Sequence, residues 1–282
     1  MRSGFVTFVG RPNVGKSTLL NAIIGKRVSI VSDKVQTTRT QVRGILNRPD
    51  AQVVFVDTPG IHKPRTLLGE RANTAASSAI GDVDVVCFVV DATMPLGKGD
   101  RFVANQVPKD AILVLNKTDL ARRETILTQL RATGTLELSA YFPVSAQTGD
   151  GVDALVAEII RRLPEGPAYY EHDVISDQSE VVWVAELVRE QLLLRTNEEL
   201  PHSIACRVTD WEDRERGPYV RVEILVERDS QKPIVIGKGG AMLREVNHAV
   251  RQALPPGAFL ELFVRVDKDW QRTAKSLDRL GY

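Results

Sequence analysis

The sequence reads GRPNVGKS at residues 10–17, between an apolar run at residues 5–9 and a run with helical spacing at residues 17–24. These flanks predict a strand, a tight loop and a helix, the context that a phosphate-binding GxxxxGK(S/T) loop requires. Glycines let backbone N–H groups point at a phosphate, and the helix N-terminus adds a partial positive charge. We expect Lys16 to contact the β- and γ-phosphates and the Ser17 hydroxyl to bind Mg²⁺. The predicted contacts of this loop are Gly10, Arg11, Pro12, Asn13, Val14, Gly15, Lys16, Ser17 and Thr18.

Strand and helix patterns alternate over the first 165 residues. Further strands are predicted at residues 53–56, 85–90, 111–115 and 142–144. The middle two are continuous apolar runs, which are typical of strands buried on both faces of a parallel sheet. Helices are predicted at residues 67–80, 102–106, 122–130 and 152–163. The alternation predicts a doubly wound, mostly parallel α/β domain over residues 1–165, with its ligand at the carboxyl ends of the strands.

A second phosphate element follows the strand predicted at residues 53–56. The chain continues there with Asp57-Thr58-Pro59-Gly60. Such residues also form ordinary turns, and the motif alone would carry little weight. After a phosphate-binding loop, however, the Asp57 carboxylate can hold a Mg²⁺-bound water, and the Gly60 N–H can reach the γ-phosphate.

A third motif predicts which base is bound. Asn116-Lys117-Thr118-Asp119 follows the strand predicted at residues 111–115. A carboxylate at Asp119 would accept hydrogen bonds from the N1–H and the amino group of guanine, and adenine lacks both donors at those positions. The tripeptide VSA at residues 144–146 places Ser145 and Ala146 where a backbone N–H can reach the guanine O6. The sequence therefore predicts a site for GTP and GDP.

The ordered set GRPNVGKS, DTPG, NKTD and VSA resembles the translation-factor-related small GTPases. In these proteins a switch threonine between the first two motifs binds Mg²⁺. The corresponding stretch here is QTTRT at residues 36–40, in which Thr38 is the first choice and Thr37 the alternative. The resemblance implies that the catalytic residues are Lys16, Thr38, Asp57 and Gly60, and that the metal ligands are Ser17, Thr38 and Asp57.

Two positions bear on the rate of hydrolysis. Ile61 follows DTPG, where many GTPases carry the glutamine that orients the attacking water, so we expect slow intrinsic turnover. Asn13 resembles the asparagine of potassium-stimulated relatives. That resemblance implies K⁺ as an additional cofactor and hydrolysis several-fold faster in KCl than in NaCl.

The second half of the chain predicts a different kind of domain. PEGPAYY at residues 164–170 opens a stretch without periodicity, and we place an interdomain linker at residues 166–180. A helical stripe follows, then alternating strands at residues 203–209 and 219–227, and a last strand at residues 259–266. Before that last strand, GKGG at residues 237–240 lies between two helical patterns. This arrangement predicts an α+β type II KH domain over residues 181–282, because a GxxG loop between helices grips the backbone of about four nucleotides.

The predicted RNA contacts lie on the GxxG element and on the C-terminal tail. In the tail, basic residues recur at helical spacing from Lys268 to Arg279, and Trp270, Ala274 and Leu277 form another face. A solvated helix face is the alternative interpretation of these cations. The candidate RNA-binding residues are Ile236, Gly237, Lys238, Gly239, Gly240, Arg244, Lys268, Arg272 and Lys275.

Composition bounds these interpretations. The chain has 282 residues, of which 43% are hydrophobic and 26% charged, so a disordered, collagen-like or disulfide-scaffold chain is excluded. The formal net charge of +1 divides into +5 for residues 1–170, −8 for residues 171–231 and +4 for residues 232–282, which confines the expected RNA contact to residues after about 234. Cys87 and Cys206 have no metal or redox spacing, and no apolar run reaches the roughly 18 residues of a membrane span. We expect a cytoplasmic protein.

Over its whole length the chain resembles the Era family of bacterial GTPases. The matching strings are VERDSQK at residues 226–232, IGKGGAML at residues 236–243 and the terminal LGY. The resemblance implies a monomeric, ribosome-associated factor that binds the 3′ end of 16S rRNA, acts in 30S subunit maturation and associates peripherally with the inner membrane. Val181-Val182 replace an expected Arg-Phe pair, and Pro233 replaces a usual glycine.

Two other classes of protein are considered. One is a membrane-linked signalling GTPase whose C-terminal domain binds a protein partner. The other is an RNA-binding module that holds its nucleotide without hydrolysing it. The GxxG loop argues against the first class, and the complete set of phosphate motifs argues against the second.

Overall fold

A computed structural model of the chain describes residues 1–197 and 200–282. Contacts divide the described residues into two compact units. The first unit contains residues 1–31, 38–65 and 69–177, and the second contains residues 32–37, 66–68 and 178–282. The last of these divisions, between residues 177 and 178, falls inside the predicted linker, and residues 166–177 of that linker belong to the first unit. None of the described helices is long and apolar enough to cross a membrane.

The first unit is built on a six-stranded sheet in the order β2-β3-β1-β4-β5-β6. All neighbouring strands are parallel except β2 and β3, which are antiparallel. The prediction of a doubly wound, mostly parallel sheet is confirmed. The strands are β1 (Arg2–Val9), β2 (Val42–Asn47), β3 (Ala51–Asp57), β4 (Val85–Asp91), β5 (Ile112–Asn116) and β6 (Ala140–Pro143).

Helices cover both faces of this sheet and bury one apolar cluster on each side. The helices between residues 16 and 162 are α1 (Lys16–Ile24), α2 (Leu67–Gly81), α3 (Lys98–Ala104), α4 (Arg123–Gly134) and α5 (Val152–Arg162). Two differences from the sequence prediction stand out. The edge strand β2 was not predicted, because Arg43 and Gly44 interrupt its apolar pattern. Helix α3 begins before the predicted residues 102–106, because the Asp100 carboxylate caps the Gly97 N–H at its start.

The second unit has the α+β architecture predicted for a KH domain. In its three-stranded sheet β8 (Tyr219–Val226) pairs antiparallel with β7 (Ala205–Glu212) and parallel with β9 (Phe259–Val266). The helices are α6 (Glu180–Arg195), α7 (Leu200–Ser203), α8 (Lys232–Ile236), α9 (Ala241–Arg251) and α10 (Ala274–Leu280). Pro233 lies in the first turn of α8, where its missing N–H costs nothing.

Residues 32–37 belong to this unit through specific contacts. The fully buried Arg189 pairs with Glu186 and donates a hydrogen bond to the carbonyl oxygen of Thr37. Lys34 Nζ lies 3.4 Å from Asn197 Oδ1. Although burial opposes the charged form, the Glu186 carboxylate raises the pKa of the Arg189 guanidinium, which therefore stays charged.

The predicted C-terminal helix face is wrong in its extent. Asp269 has a positive φ of 55°, a 3-10 turn covers Trp270–Arg272, and α10 begins only at Ala274. The buried Trp270 fixes this turn by donating from Nε1 to the Ser203 carbonyl oxygen at 3.0 Å. Lys268 and Arg272 consequently do not share a helix face with Lys275.

Candidate functional site

The phosphate-binding loop joins the end of β1 to the start of α1. Lys16 is buried, and its Nζ donates to the carbonyl oxygens of Gly10 and Arg11 at 3.3 and 3.1 Å. Burial lowers the pKa of Lys16 to about 8, and the charge of Asp57 opposes this shift. Of the remaining loop residues, Val14 packs into the core, so that only its backbone can serve a ligand, and Thr18 is half-buried in the first turn of α1.

The three predicted metal ligands come together beside this loop. Ser17 Oγ donates to Asp57 Oδ2 at 2.6 Å and lies 2.9 Å from Thr38 Oγ1. The Thr37 hydroxyl instead donates to the Lys34 carbonyl oxygen at 2.7 Å and lies 2.6 Å from Ser32 Oγ. Of the two candidate threonines, the structure therefore places Thr38 at the site.

The Asp57 carboxylate is buried and keeps one oxygen available for a cation. Asp57 is 0% exposed, and its Oδ1 has no hydrogen-bond partner among the described residues. Burial raises its pKa, while Lys16 and the hydroxyls of Ser17 and Thr38 lower it. A buried carboxylate that keeps one oxygen unpartnered, next to the Ser17 and Thr38 hydroxyls, fits a hard divalent cation such as Mg²⁺, which prefers oxygen ligands.

The DTPG motif packs directly against the phosphate loop. A Cβ on Gly60 would lie 2.5 Å from the Pro12 nitrogen, so only glycine permits this approach. Thr58 Oγ1 donates to the Phe8 carbonyl oxygen at 2.9 Å, and Pro59 is buried. The motif therefore meets the phosphate loop at two places, through the Asp57 carboxylate at Ser17 and through the backbone of Gly60 at Pro12.

The NKTD motif ties the parts of the base site together. Asn116 Nδ2 donates to the Val14 carbonyl oxygen at 2.9 Å, and Asn116 Oδ1 accepts from the Ala146 N–H at 3.0 Å. Ser145 Oγ donates to Asp119 Oδ1 at 2.7 Å, while the Asp119 residue is exposed and accessible to a base. Thr118 opens a 3-10 turn that holds this carboxylate at the end of β5.

The GxxG loop lies between α8 and α9. Gly237 has a φ of 75°, and a Cβ there would lie 2.7 Å from the Met242 nitrogen. Gly239 also has a positive φ, 57°, but nothing lies within 4 Å of a Cβ placed on it. Lys238 is exposed, and Arg244 Nη1 donates to the Gly239 carbonyl oxygen at 2.7 Å. The loop is therefore braced from α9 and open on the side where a phosphate would approach.

Comparisons with known proteins find matches in both halves of the chain. A family model described as 50S ribosome-binding GTPase matches residues 5–117, and a KH domain model matches residues 199–271. The GTPase Era of Nocardioides sp. is 45% identical over 302 positions, covering 100% of this chain and 96% of the relative. The GTPase Era of Geobacter metallireducens is 44% identical, covering 100% of this chain and 98% of the relative. The chain belongs to the Era family of GTPases.

Solved Era structures match the whole chain as well. A variant of Aquifex aeolicus Era bound to GDP and AlF4⁻ has a TM-score of 0.95 at 36% identity, covering 100% of this chain and 99% of that one. An Era complex with MgGDPNP and nucleotides 1506–1542 of 16S ribosomal RNA has a TM-score of 0.96 at 37% identity, with the same coverage. This Era family member is a GTPase with an N-terminal P-loop domain and a C-terminal KH domain.

One residue that the sequence analysis missed positions the base site of this Era family member. Lys117 Nζ lies 2.6 Å from Asp91 Oδ2 and donates to the Asn13 carbonyl oxygen at 2.6 Å. Although partial burial favours the neutral acid, hydrogen bonds from Lys117 and Thr93 lower the pKa of Asp91. The signal was available, because Asp91 ends an apolar strand at the same sheet edge as the other motifs.

The Arg11 side chain points away from the phosphate loop to α3. Its Nε lies 2.6 Å from Oδ1 of the buried Asp100, at the start of α3. Among the parts of Arg11, only the backbone therefore belongs to the lining of the phosphate loop, and the guanidinium fastens the loop to α3.

The basic residues of the tail lie apart from any single helix face. Lys268, Arg272 and Lys275 are all exposed. A cavity of about 410 Å³ is lined by Thr66, Glu227, Arg228, Asp229, Lys268, Asp269, Gln271 and Arg272. The acidic residues in this lining offset its cations, so the GxxG loop remains the stronger candidate for a phosphate contact. Ile236 is partly buried against the core beneath that loop.

Proposed function

We propose that this chain binds the 3′ end of 16S rRNA through its KH domain and uses Mg²⁺-dependent GTP hydrolysis in maturation of the 30S subunit. The observation that carries the proposal is the open GxxG loop, in which Gly239 has free space and Lys238 is exposed. An Era relative of known structure binds nucleotides 1506–1542 of 16S ribosomal RNA, which supports the same partner here.

Each residue of the nucleotide site then has a physical role. Lys16 supplies positive charge to the β- and γ-phosphates, and Ser17, Thr38 and Asp57 would hold the Mg²⁺ ion. That ion, when bound, neutralises charge that develops on the phosphate oxygens. The Gly60 N–H would reach the γ-phosphate because Gly60 touches the phosphate loop.

We propose that the intrinsic rate of GTP hydrolysis is slow and that K⁺ stimulates it. Ile61, which follows DTPG, is 3% exposed and lies in the core, so its side chain cannot orient an attacking water. Asn13 lies in the phosphate loop with a positive φ of 64°. Turnover should be several-fold faster in KCl than in NaCl, and Asn13→Gly should remove this difference without straining the backbone. Equal rates of the wild type in the two salts would exclude the K⁺ role.

RNA binding is tested with a 3′-terminal 16S fragment and the full chain. The double variant Lys238→Asp, Gly239→Asp should lower affinity at least tenfold, because a carboxylate replaces a cation on the phosphate side of the loop. The matched control is Lys26→Asp, which reverses an exposed charge in the GTPase domain. Unchanged affinity of the double variant would refute the clamp, and capture of a protein partner by that variant would favour the signalling alternative.

The ribosomal role is tested by co-sedimentation of the chain with 30S and 50S subunits under GTP and under GDP. One matching family model is described as a 50S ribosome-binding GTPase, so the experiment must include both subunits. Preference for the 30S subunit supports the proposal, and preference for the 50S subunit contradicts it. We also propose a monomer that works in the cytoplasm on the ribosome, with a peripheral membrane fraction that cell fractionation would measure.

A further inference from the structure

The loop that follows α1 is held by one side chain of that helix. Asn21 Oδ1 accepts from the N–H groups of Val28 and Ser29 at 2.9 and 3.0 Å. Asn21 Nδ2 donates to the Ser29 carbonyl oxygen at 2.8 Å. With three hydrogen bonds to consecutive peptide groups, Asn21 fixes the backbone of Ser29 and therefore the direction of its side chain.

Ser29 is aimed at the metal-site carboxylate. Its residue is 2% exposed, and its Oγ donates to Asp57 Oδ2 at 3.0 Å. Asp57 Oδ2 thus accepts from both Ser17 and Ser29, while Oδ1 has no partner among the described residues. Two donors on one oxygen prevent rotation of the carboxylate and leave the other oxygen for a cation.

We infer that Ser29 is a positioning residue for GTP hydrolysis, because it holds Asp57 so that Oδ1 faces the Mg²⁺ position. The inference rests on the proposed role of Mg²⁺. None of the sequence motifs contains Ser29, which lies 12 positions after Ser17 and 28 before Asp57. Only the fold brings its hydroxyl to the strand end where Asp57 lies.

The placement of Ser29 also defines one end of the switch segment. Residues 30–37 run between Ser29 and Thr38, and both of these hydroxyls lie at the Ser17–Asp57 pair. The Ser29 end is anchored by Asn21 on α1, whereas Thr38 is bound through its hydroxyl at the proposed metal site. Ser29 is therefore the end of this segment that is tied to α1 through Asn21, and Thr38 is the end that contacts Ser17.

The test measures Mg²⁺ binding by release of fluorescent mant-GDP from the full chain at a series of free Mg²⁺ concentrations. Ser29→Ala removes the hydroxyl, and Ser29→Cys keeps nearly the same volume with a much weaker donor. Both variants should need about tenfold more Mg²⁺ for half-maximal slowing of release, as is usual when a residue that orients a metal ligand is lost. Release in excess chelator should match the wild type.

The matched control is Ser3→Ala. Ser3 is also buried, but its hydroxyl donates to the Pro167 carbonyl oxygen at the opposite ends of the strands. A wild-type Mg²⁺ midpoint in both Ser29 variants would overturn the inference and leave the Mg²⁺ role intact. A raised Mg²⁺ midpoint in Ser29→Ala together with a wild-type midpoint in Ser29→Cys would show that Ser29 acts by packing. That result would also overturn the inference. Absence of any Mg²⁺ response in the wild type would refute the proposed metal role and the inference together.

Discussion

Replacing Asn116 by alanine should destabilise the GTPase domain as well as the nucleotide complex. Asn116 is 1% exposed and bridges the Val14 carbonyl oxygen and the Ala146 N–H. Both partners are buried main-chain groups, and alanine offers neither of them a hydrogen bond. The variant therefore separates the end of β5 from the phosphate loop and from the loop at residues 144–146.

The size of the loss follows from the two groups left without a partner. Each buried donor or acceptor that loses its hydrogen bond costs about 1–3 kcal/mol. Because both groups lie in loops that can partly relax, we expect a total of about 2–4 kcal/mol, in the lower part of the summed range of about 2–6 kcal/mol. With a urea m-value of about 2 kcal/mol/M, the unfolding midpoint should fall by roughly 1–2 M.

The assay uses the uneven distribution of tryptophan. Trp183, Trp211 and Trp270 all lie after residue 178, so tryptophan fluorescence follows the second unit, whereas circular dichroism follows both. Asn116→Ala should shift the circular dichroism transition of the first unit and leave the fluorescence transition unchanged. Asp119→Asn is the matched control, because asparagine can still accept from Ser145 and the residue is exposed. An unshifted transition in Asn116→Ala would refute the bridging role.

Four further outcomes are expected. Asp119→Asn should change the preferred nucleotide from GTP to xanthosine triphosphate in competition binding, because a carbonyl of xanthine replaces the amino donor of guanine. Gly60→Ala should abolish hydrolysis in a turnover assay but retain GDP, because its Cβ would lie 2.5 Å from the phosphate loop backbone. In urea unfolding, Gly239→Ala should cost about 1–2 kcal/mol from backbone strain alone, and Gly237→Ala should cost more because its Cβ also meets α9 at 2.7 Å. Burial raises the pKa of the Cys87 thiol to about 12, so native protein should resist thiol reagents at Cys87 until the pH approaches that value or the domain unfolds.

The nucleotide site could be predicted from sequence because each motif follows a strand. Strand ends are visible as apolar runs that stop at a glycine or an acid, and in a parallel sheet these ends share one edge. Asp57, Asn116 and Ser145 were placed in this way, and the structure brings all three to the same edge. The prediction needed no knowledge of side-chain contacts.

Residues that act through another residue could not be found in the same way. Ser29 lies in a loop with no apolar periodicity, and its contact with Asp57 depends on the hydrogen bonds from Asn21. Arg11 belongs to a motif, but the position of Asp100 decides where its guanidinium points. In both cases the partner is distant in sequence, so spacing carries no information about it.

The tail shows a different failure of sequence reasoning. Periodicity predicted that Lys268, Arg272 and Lys275 share one helix face. The left-handed backbone of Asp269 prevents a helix from running through these positions. The turn forms in place of a helix because it buries the Trp270 ring and gives its Nε1 a hydrogen-bond acceptor.

Charge counted along the sequence overstates the cations that RNA can use. Two of the basic residues counted in residues 232–282 already have acidic partners. Arg265 lies 3.4 Å from Glu223, and Arg279 pairs with Asp267. Arg244 is bound to the carbonyl oxygen of Gly239 and serves the shape of the loop. For Lys238 the structure records no ion pair among the described residues, so it can exchange counterions for a phosphate without breaking an internal contact. The electrostatic part of RNA binding should therefore depend on Lys238 more than the net charge of +4 suggests, and its substitution should reduce the salt dependence of binding by about one phosphate contact.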